Sequence, residues 1–129
     1  MNEQELSIKL LKDAAKTLDT ALKIKPLNDI VRDAVIQRFE YTYEITWKTL
    51  KRYFESNQKI SEFNIKNIWR EAARMGLLDN VEVWFEFHKA RNETSHTYSK
   101  KVARMVFSQA KKFNLHIKKL IKSLENILE

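Results

Sequence analysis

Apolar residues recur at helical spacing along most of this chain. Leu11, Ala14, Leu18, Ala21 and Leu22 fall three and four apart, predicting a first helix from about Glu3 to Ile24. Lys25-Pro26 ends it, because the residue before a proline is pushed out of helical geometry. Asn28 or Asp29 then offers a side-chain oxygen to the free N–H groups of a second helix, about Asp29 to Glu55. Within it Ile36, Phe39, Tyr43, Trp47, Leu50 and Phe54 advance by 3, 4, 4, 3 and 4 residues, an aromatic-rich stripe read as core. Glu40 and Glu44 flank Tyr43 on nearly the same face. A carboxylate so close to the interior needs a cation or a hydrogen-bond donor, and an arginine elsewhere in the chain is the expected partner.

A shorter third helix is predicted over about Asn64 to Met75, with Gly76 where a left-handed C-terminal cap belongs and Leu78 making the accompanying apolar contact. Asp79-Asn80 reads as the N-cap of a fourth helix, about Val81 to Thr94 or a little further. A fifth, from about Ser99 to Leu128, carries Val102, Val106, Ala110, Phe113, Ile117, Leu120, Leu124 and Ile127 at helical spacing. Most of its lysines lie off that stripe.

Composition strengthens the pattern. The 129 residues include one glycine and one proline, too few breakers for the turns that sheets require. The expected fold is therefore all-α, an up-and-down bundle of four to five helices forming one domain over residues 1–129. Hydrophobic residues at 43% and charged residues at 32% are a globular balance. The aromatic content of helices two and four exceeds what a chain of this length is expected to bury alone, which predicts a symmetric dimer.

Several chemistries are excluded. Without cysteine there are neither disulfides nor thiolate metal sites. A single glycine cannot build a phosphate-cradling loop, and the Gly-Ser turn with paired aspartates of a nucleotidyltransferase is missing. His88, His96 and His116 match no zinc spacing, so no metal and no cofactor is expected. The start, MNEQELSIKLLKDAAK, mixes charges through its apolar positions, unlike a signal peptide. No uncharged run approaches the roughly 18 residues of a membrane span, and a cytoplasmic location is expected.

Charge alters the picture at the C-terminal end. Net charge is +7, and between Thr94 and Leu124 no acidic residue occurs. Lys100, Lys101, Arg104, Lys111, Lys112, Lys118, Lys119 and Lys122 supply eight positive charges there. Such a run is either a solvated helix face or a surface for phosphate or an acidic partner.

One segment carries chemistry: RNETSHTY, Arg91 to Tyr98. Arginine holds a permanent planar charge that fits phosphate oxygens, and histidine exchanges protons near neutral pH. Together they suffice, as residue types, for RNA cleavage without a metal. His96 would assist proton transfer at the ribose 2′-OH or the leaving oxygen, and Arg91 would hold the charge developing on phosphorus. On a regular helix five residues turn by about 140°, so Arg91 and His96 would not share a face. Asn92 with His96 would, and so would Arg91 with Tyr98. Either the helix loosens at Thr94-Ser95 or a second copy completes the site. The plainer alternative has Arg91 paired with Glu44 or Glu40 and His96 facing water at a helix end.

Arg91, Asn92 and His96 resemble, in order, the HEPN signature of arginine, polar residue, short gap and histidine. With Tyr98 the segment is also similar to the Arg-x4-His-x-Tyr form of HEPN toxins paired with minimal nucleotidyltransferases. FEYTYEITWKTLKRYFE (39–55), REAARMGLLDN (70–80) and VWFEFHKARNETSHTY (83–98) extend the likeness over most of the chain. The resemblance implies a five-helix bundle, a homodimer, and metal-independent ribonuclease activity with Arg91, Asn92 and His96 at the site. Glu44 would lend support, and Lys100, Lys101, Arg104, Lys111 and Lys112 would meet RNA phosphates. It also implies a partner, a minimal nucleotidyltransferase that transfers AMP to Tyr98. The alternative function in the same family is a non-catalytic subunit that binds substrate or nucleotide for that transferase.

Overall fold

In the computed structural model, residues 1–57 and 64–128 are described, and they form five α-helices. These are α1 (Glu3–Leu22), α2 (Asp29–Ser56), α3 (Ile65–Arg74), α4 (Val81–Asn92) and α5 (Lys100–Ile127). Each begins at a side chain that satisfies a free backbone N–H. Asn2, Asn28, Asn64, Asn80 and Ser99 accept from Glu5, Val31, Asn67, Glu82 and Val102. After α3, Gly76 takes φ +77°, the left-handed conformation open to a residue without Cβ. Its N–H reaches the Ala73 carbonyl and that of Leu77 the Ala72 carbonyl, which closes the helix end. Leu77 therefore stands where the sequence suggested Leu78, and both are buried.

Long-range pairs set the directions. Arg52 donates to Ser7, while Arg38 donates to the Thr17 carbonyl, so α1 and α2 run antiparallel. Lys12 meets Glu125, and Asp19 accepts from Lys118 and Asn114, so α1 and α5 are also antiparallel. Consequently α2 and α5 run parallel, and the α3–α4 pair carries the chain back between their ends. No helix among the described residues is long and apolar enough to cross a membrane.

The core is aromatic. Phe113 of α5 lies edge-on to Phe39, Trp84 and Phe87 at centroid distances of 5.2, 5.7 and 5.3 Å. Tyr43, Trp69 and Phe54 are enclosed with them. A single chain thus buries most of the aromatic stripe and leaves Tyr41, Trp47, Tyr53 and Phe85 half-buried. The aromatic surplus expected to require a dimer is largely absent, because α3 and α4 fold over the stripe. Trp47, assigned to the core spine, is only partly covered.

Phe113 touches rings from α2 and α4 and leaves little freedom for collapse around a vacancy. Phe113→Ala is expected to lower unfolding free energy by about 3–5 kcal/mol, read from urea denaturation followed by circular dichroism.

Candidate functional site

The RNETSHTY segment bridges α4 and α5. Its helix does not continue to Thr94 but ends at Asn92, because side-chain hydroxyls compete for the last carbonyls. Thr94 Oγ1 donates to the Arg91 carbonyl at 2.8 Å, and Thr97 Oγ1 to the Thr94 carbonyl at 3.2 Å. A single 3-10 turn, Thr94–His96, follows before Ser99 caps α5. The angular relation of a continuous helix therefore does not apply to Arg91 and His96.

Arg91 is fixed from α2. Its Nε donates to Glu44 Oε1, while Trp47 Nε1 donates to the other oxygen, Oε2, at 2.9 Å. Glu44, rather than Glu40, is thus the carboxylate that pairs with the arginine. The Arg91 side chain keeps 37% of its surface exposed, and its terminal N–H groups have no partner among the described residues. That free fork is the geometry that grips a phosphate or carboxylate.

Beside it lies a residue that pattern reading missed as a member of the site. His88 Nδ1 stands 2.9 Å from the Tyr43 hydroxyl, which accepts from Trp69 Nε1 at 3.1 Å. Since Trp69 fills a lone pair of that oxygen, full pairing has Tyr43 donate its proton to Nδ1. The imidazole then carries its own proton on Nε2, which faces the Asn92 amide at 3.4 Å; an amide turned to present its oxygen satisfies it. The available signal was positional: His88 precedes Arg91 by three residues and Asn92 by four, so all three share one stretch of the helix surface. Burial, with Arg91 adding to it, holds His88 below the ordinary histidine range. The buried Tyr43 phenol is pushed up well above the tyrosine range, mainly by desolvation.

His96 and Tyr98 are not tied to this group by any hydrogen bond among the described residues. Both are exposed, Tyr98 to 85%, and their rings meet edge-on at 6.1 Å. Tyr98 was expected to project beside Arg91 on a continuing helix. Because the helix stops, it instead borders a cleft of about 310 Å³ lined by Asp33, Ile36, Gln37, Glu40, Thr94 and Thr97. Among the described residues, no hydrogen bond or ion pair joins His96 to Arg91 or Asn92.

The basic run occupies one side of α5. At about 100° per residue, its eight cations fall within an arc of about 120°. Lys100, Lys101, Arg104, Lys111 and Lys112 are exposed and form no ion pair among the described residues. Lys111 lies over the Phe107 ring, and Arg104 Nε donates to the Lys100 carbonyl. Lys118 and Lys119 differ, because Asp19 and Asp79 from other elements neutralise them at 2.8 and 3.9 Å. Asp19 is held far below the carboxylate range by Lys118, Lys23 and Asn114.

An all-α bundle carrying Arg91, Asn92 and His96 at the junction of its last two helices defines a HEPN-like protein. The chain belongs to the family described as nucleotidyltransferase substrate binding protein like, which matches residues 4–126. The probable ribonuclease HepT of Haemophilus influenzae is 31% identical over 139 residues, covering 96% of this chain and 95% of the relative. A Haemophilus influenzae structure, described as revealing the fold of a substrate binding domain of a nucleotidyltransferase, superposes with TM-score 0.82. It is 28% identical and covers 92% of this chain and 98% of its own. A crystal structure from Thermus thermophilus gives TM-score 0.81 at 28% identity, covering 88% of this chain and 98% of its own.

Titration of the two shielded histidines gives a test. His88 and His116 are both lowered, chiefly by burial, with Arg91 contributing at the first and Lys119 at the second. The unfolded chain binds these protons more readily, so stability is complete above about pH 6.5 and declines as pH falls toward the folded values. The melting temperature should be level between about pH 8 and 7 and drop between about 6.5 and 5. Replacing both histidines by asparagine should flatten that slope, whatever it does to the midpoint itself.

Proposed function

We propose that this chain is the toxin of a two-gene pair, a metal-independent endoribonuclease silenced when a partner nucleotidyltransferase attaches AMP to Tyr98. The observation that carries the reading is the part-exposed Arg91 guanidinium, held at Nε by Glu44 with its terminal N–H groups unpaired among the described residues. The likeness to a probable ribonuclease supports it. In the proposed reaction the ribose 2′-OH attacks the adjacent phosphorus, giving a 2′,3′-cyclic phosphate and releasing the 5′-oxygen. His96 exchanges the proton at one of these oxygens, Arg91 balances the charge on phosphorus, and Asn92 donates to a phosphate oxygen. Lys100, Lys101, Arg104, Lys111 and Lys112 hold the flanking phosphates.

No hydrogen bond holds His96 to Arg91 among the described residues of one chain, and this favours a site shared by two copies, each giving the other its histidine. Arg91→Ala and His96→Ala should each lower cleavage of a single-stranded RNA by about 100- to 10,000-fold without loss of helicity. Arg91→Lys should rescue poorly, because the bidentate fork is lost. Cleavage by wild type should survive a chelator. Mixing the two alanine variants should restore activity, since one composite site of a mixed dimer keeps both groups. A mixture as inactive as its components would return the site to a single chain, and an inert wild type would turn the assignment to the second reading.

That reading is a non-catalytic subunit presenting substrate to a nucleotidyltransferase, which the description of the Haemophilus influenzae structure favours. In the toxin reading Tyr98 is the proposed acceptor of AMP. Its exposure makes the phenol reachable, and the nucleotide would lie against His96, whose ring it already meets. Steric exclusion of RNA then needs no conformational change. Co-expression with the transferase and ATP, followed by intact-mass measurement, should show added AMP on wild type and none on Tyr98→Phe. An adduct on the Phe variant would remove Tyr98 from this role.

A further inference from the structure

We infer that Trp47 is the base-stacking platform of a nucleotide subsite whose phosphate is held by Arg91. Three tryptophans are present, and Trp69 and Trp84 are enclosed in the core. Trp47 alone is partly open, on the side of α2 that carries Glu44. The ammonium of Lys48, an exposed side chain, lies 5.6 Å above the Trp47 ring, so a mobile surface group rather than the core covers that side of the indole.

The position of that ring is fixed by the group that fixes the arginine. One carboxylate, Glu44, receives the indole N–H on Oε2 and the Arg91 Nε–H on Oε1. A flat aromatic surface and an open guanidinium fork are therefore set side by side, separated by the width of a single carboxylate. This pairing complements a base joined through its sugar to a phosphate. Core packing accounts for only part of the ring: Trp47 rests against the core cluster yet stays partly open, whereas Trp69 and Trp84 are covered. Stacking on a base outweighs an exposed cation–ring contact, so a nucleotide displaces Lys48 from the ring, leaving its ammonium near the adjoining phosphate. A ring that takes a base on its face requires an unpaired base, which makes the ligand single-stranded.

The assignment rests on Arg91 as a phosphate holder and not on cleavage, so it applies to RNA and to a free nucleotide alike. Tryptophan emission separates these cases. Titration of the whole protein with a short oligouridylate should quench emission in a saturable way. AMP should do the same at higher concentration if a single nucleotide fills the subsite, and should fail to quench if the strand's neighbouring phosphates are needed. Trp47→Phe keeps a ring but removes the reporter and the N–H that steadies Glu44, so by anisotropy it should bind fluorescently labelled oligouridylate more tightly than Trp47→Leu does, while the quench disappears. Trp47→Leu should weaken that binding by about 10-fold or more, with unchanged circular dichroism. Quenching that persists in Trp47→Phe would overturn the inference. So would wild-type affinity in folded Trp47→Leu, and if that variant also cleaves RNA with an unchanged KM, the ribonuclease reading stands alone. A protein that binds neither oligouridylate nor AMP would overturn both.

Discussion

The hydroxyl of Tyr43 is a polar group that the bundle can bury only by pairing it, and much of the architecture answers that requirement. The ring is fully enclosed among Phe39, Trp69 and Phe113. Left unpaired there, a phenol would cost free energy comparable to a lost hydrogen bond. Trp69 from α3 and His88 from α4 supply the partners, so one oxygen on α2 ties together the two helices that return the chain. Both helices are short and neither lies against α1 extensively. Their orientation over α2 is what brings Arg91 to Glu44, while Asn92, one turn beyond His88, faces that histidine.

Glu44 follows Tyr43 and is governed by the same placement. Its carboxylate is only partly buried, so its attraction to Arg91 is screened and adds little to stability in isolation. Its geometric effect is larger. With Nε engaged, the guanidinium cannot rotate its fork inward, and the Trp47 indole on the second oxygen keeps the carboxylate from swinging away. A cation held this way has already lost the rotamer freedom that a ligand would otherwise have to remove. The pairing that the plainer alternative anticipated for Arg91 therefore orients the residue rather than consuming it.

The fold was largely legible because local chemistry and periodicity agree. Asparagines at 28, 64 and 80 fall where apolar periodicity starts, and Gly76 where it stops, so helix bounds follow from capping alone. Periodicity failed where tertiary partners decide. Trp47 fits the apolar stripe as well as Tyr43 does, yet only packing from α3 and α4 separates a covered ring from an open one. Lys118 and Lys119 look like their neighbours on α5, but Asp19 and Asp79 are far away in sequence. The end of α4 was misplaced because a run of threonine and serine has no strong breaker. Its hydroxyls stop the helix only by capturing carbonyls, an outcome that single-residue preferences weigh poorly. His88 was overlooked because its significance depends on a phenol forty-five residues earlier.

The two halves of the RNETSHTY segment are consequently built to different standards. Arg91 and Asn92 belong to a helix stitched to the core through Glu44 and His88, and their positions are set before any ligand arrives. His96 and Tyr98 sit beyond the helix end on a turn whose hydrogen bonds are local, with side chains in solvent. Charge stabilisation benefits most from groups that need not reorganise, and the arginine is placed accordingly. A proton-transfer group or a modification site has the opposite need, since it must be reached by a substrate, a second chain or another enzyme. Within one chain nothing holds His96 against Arg91. His96 and Tyr98 therefore belong to the half of the segment that the core does not fix.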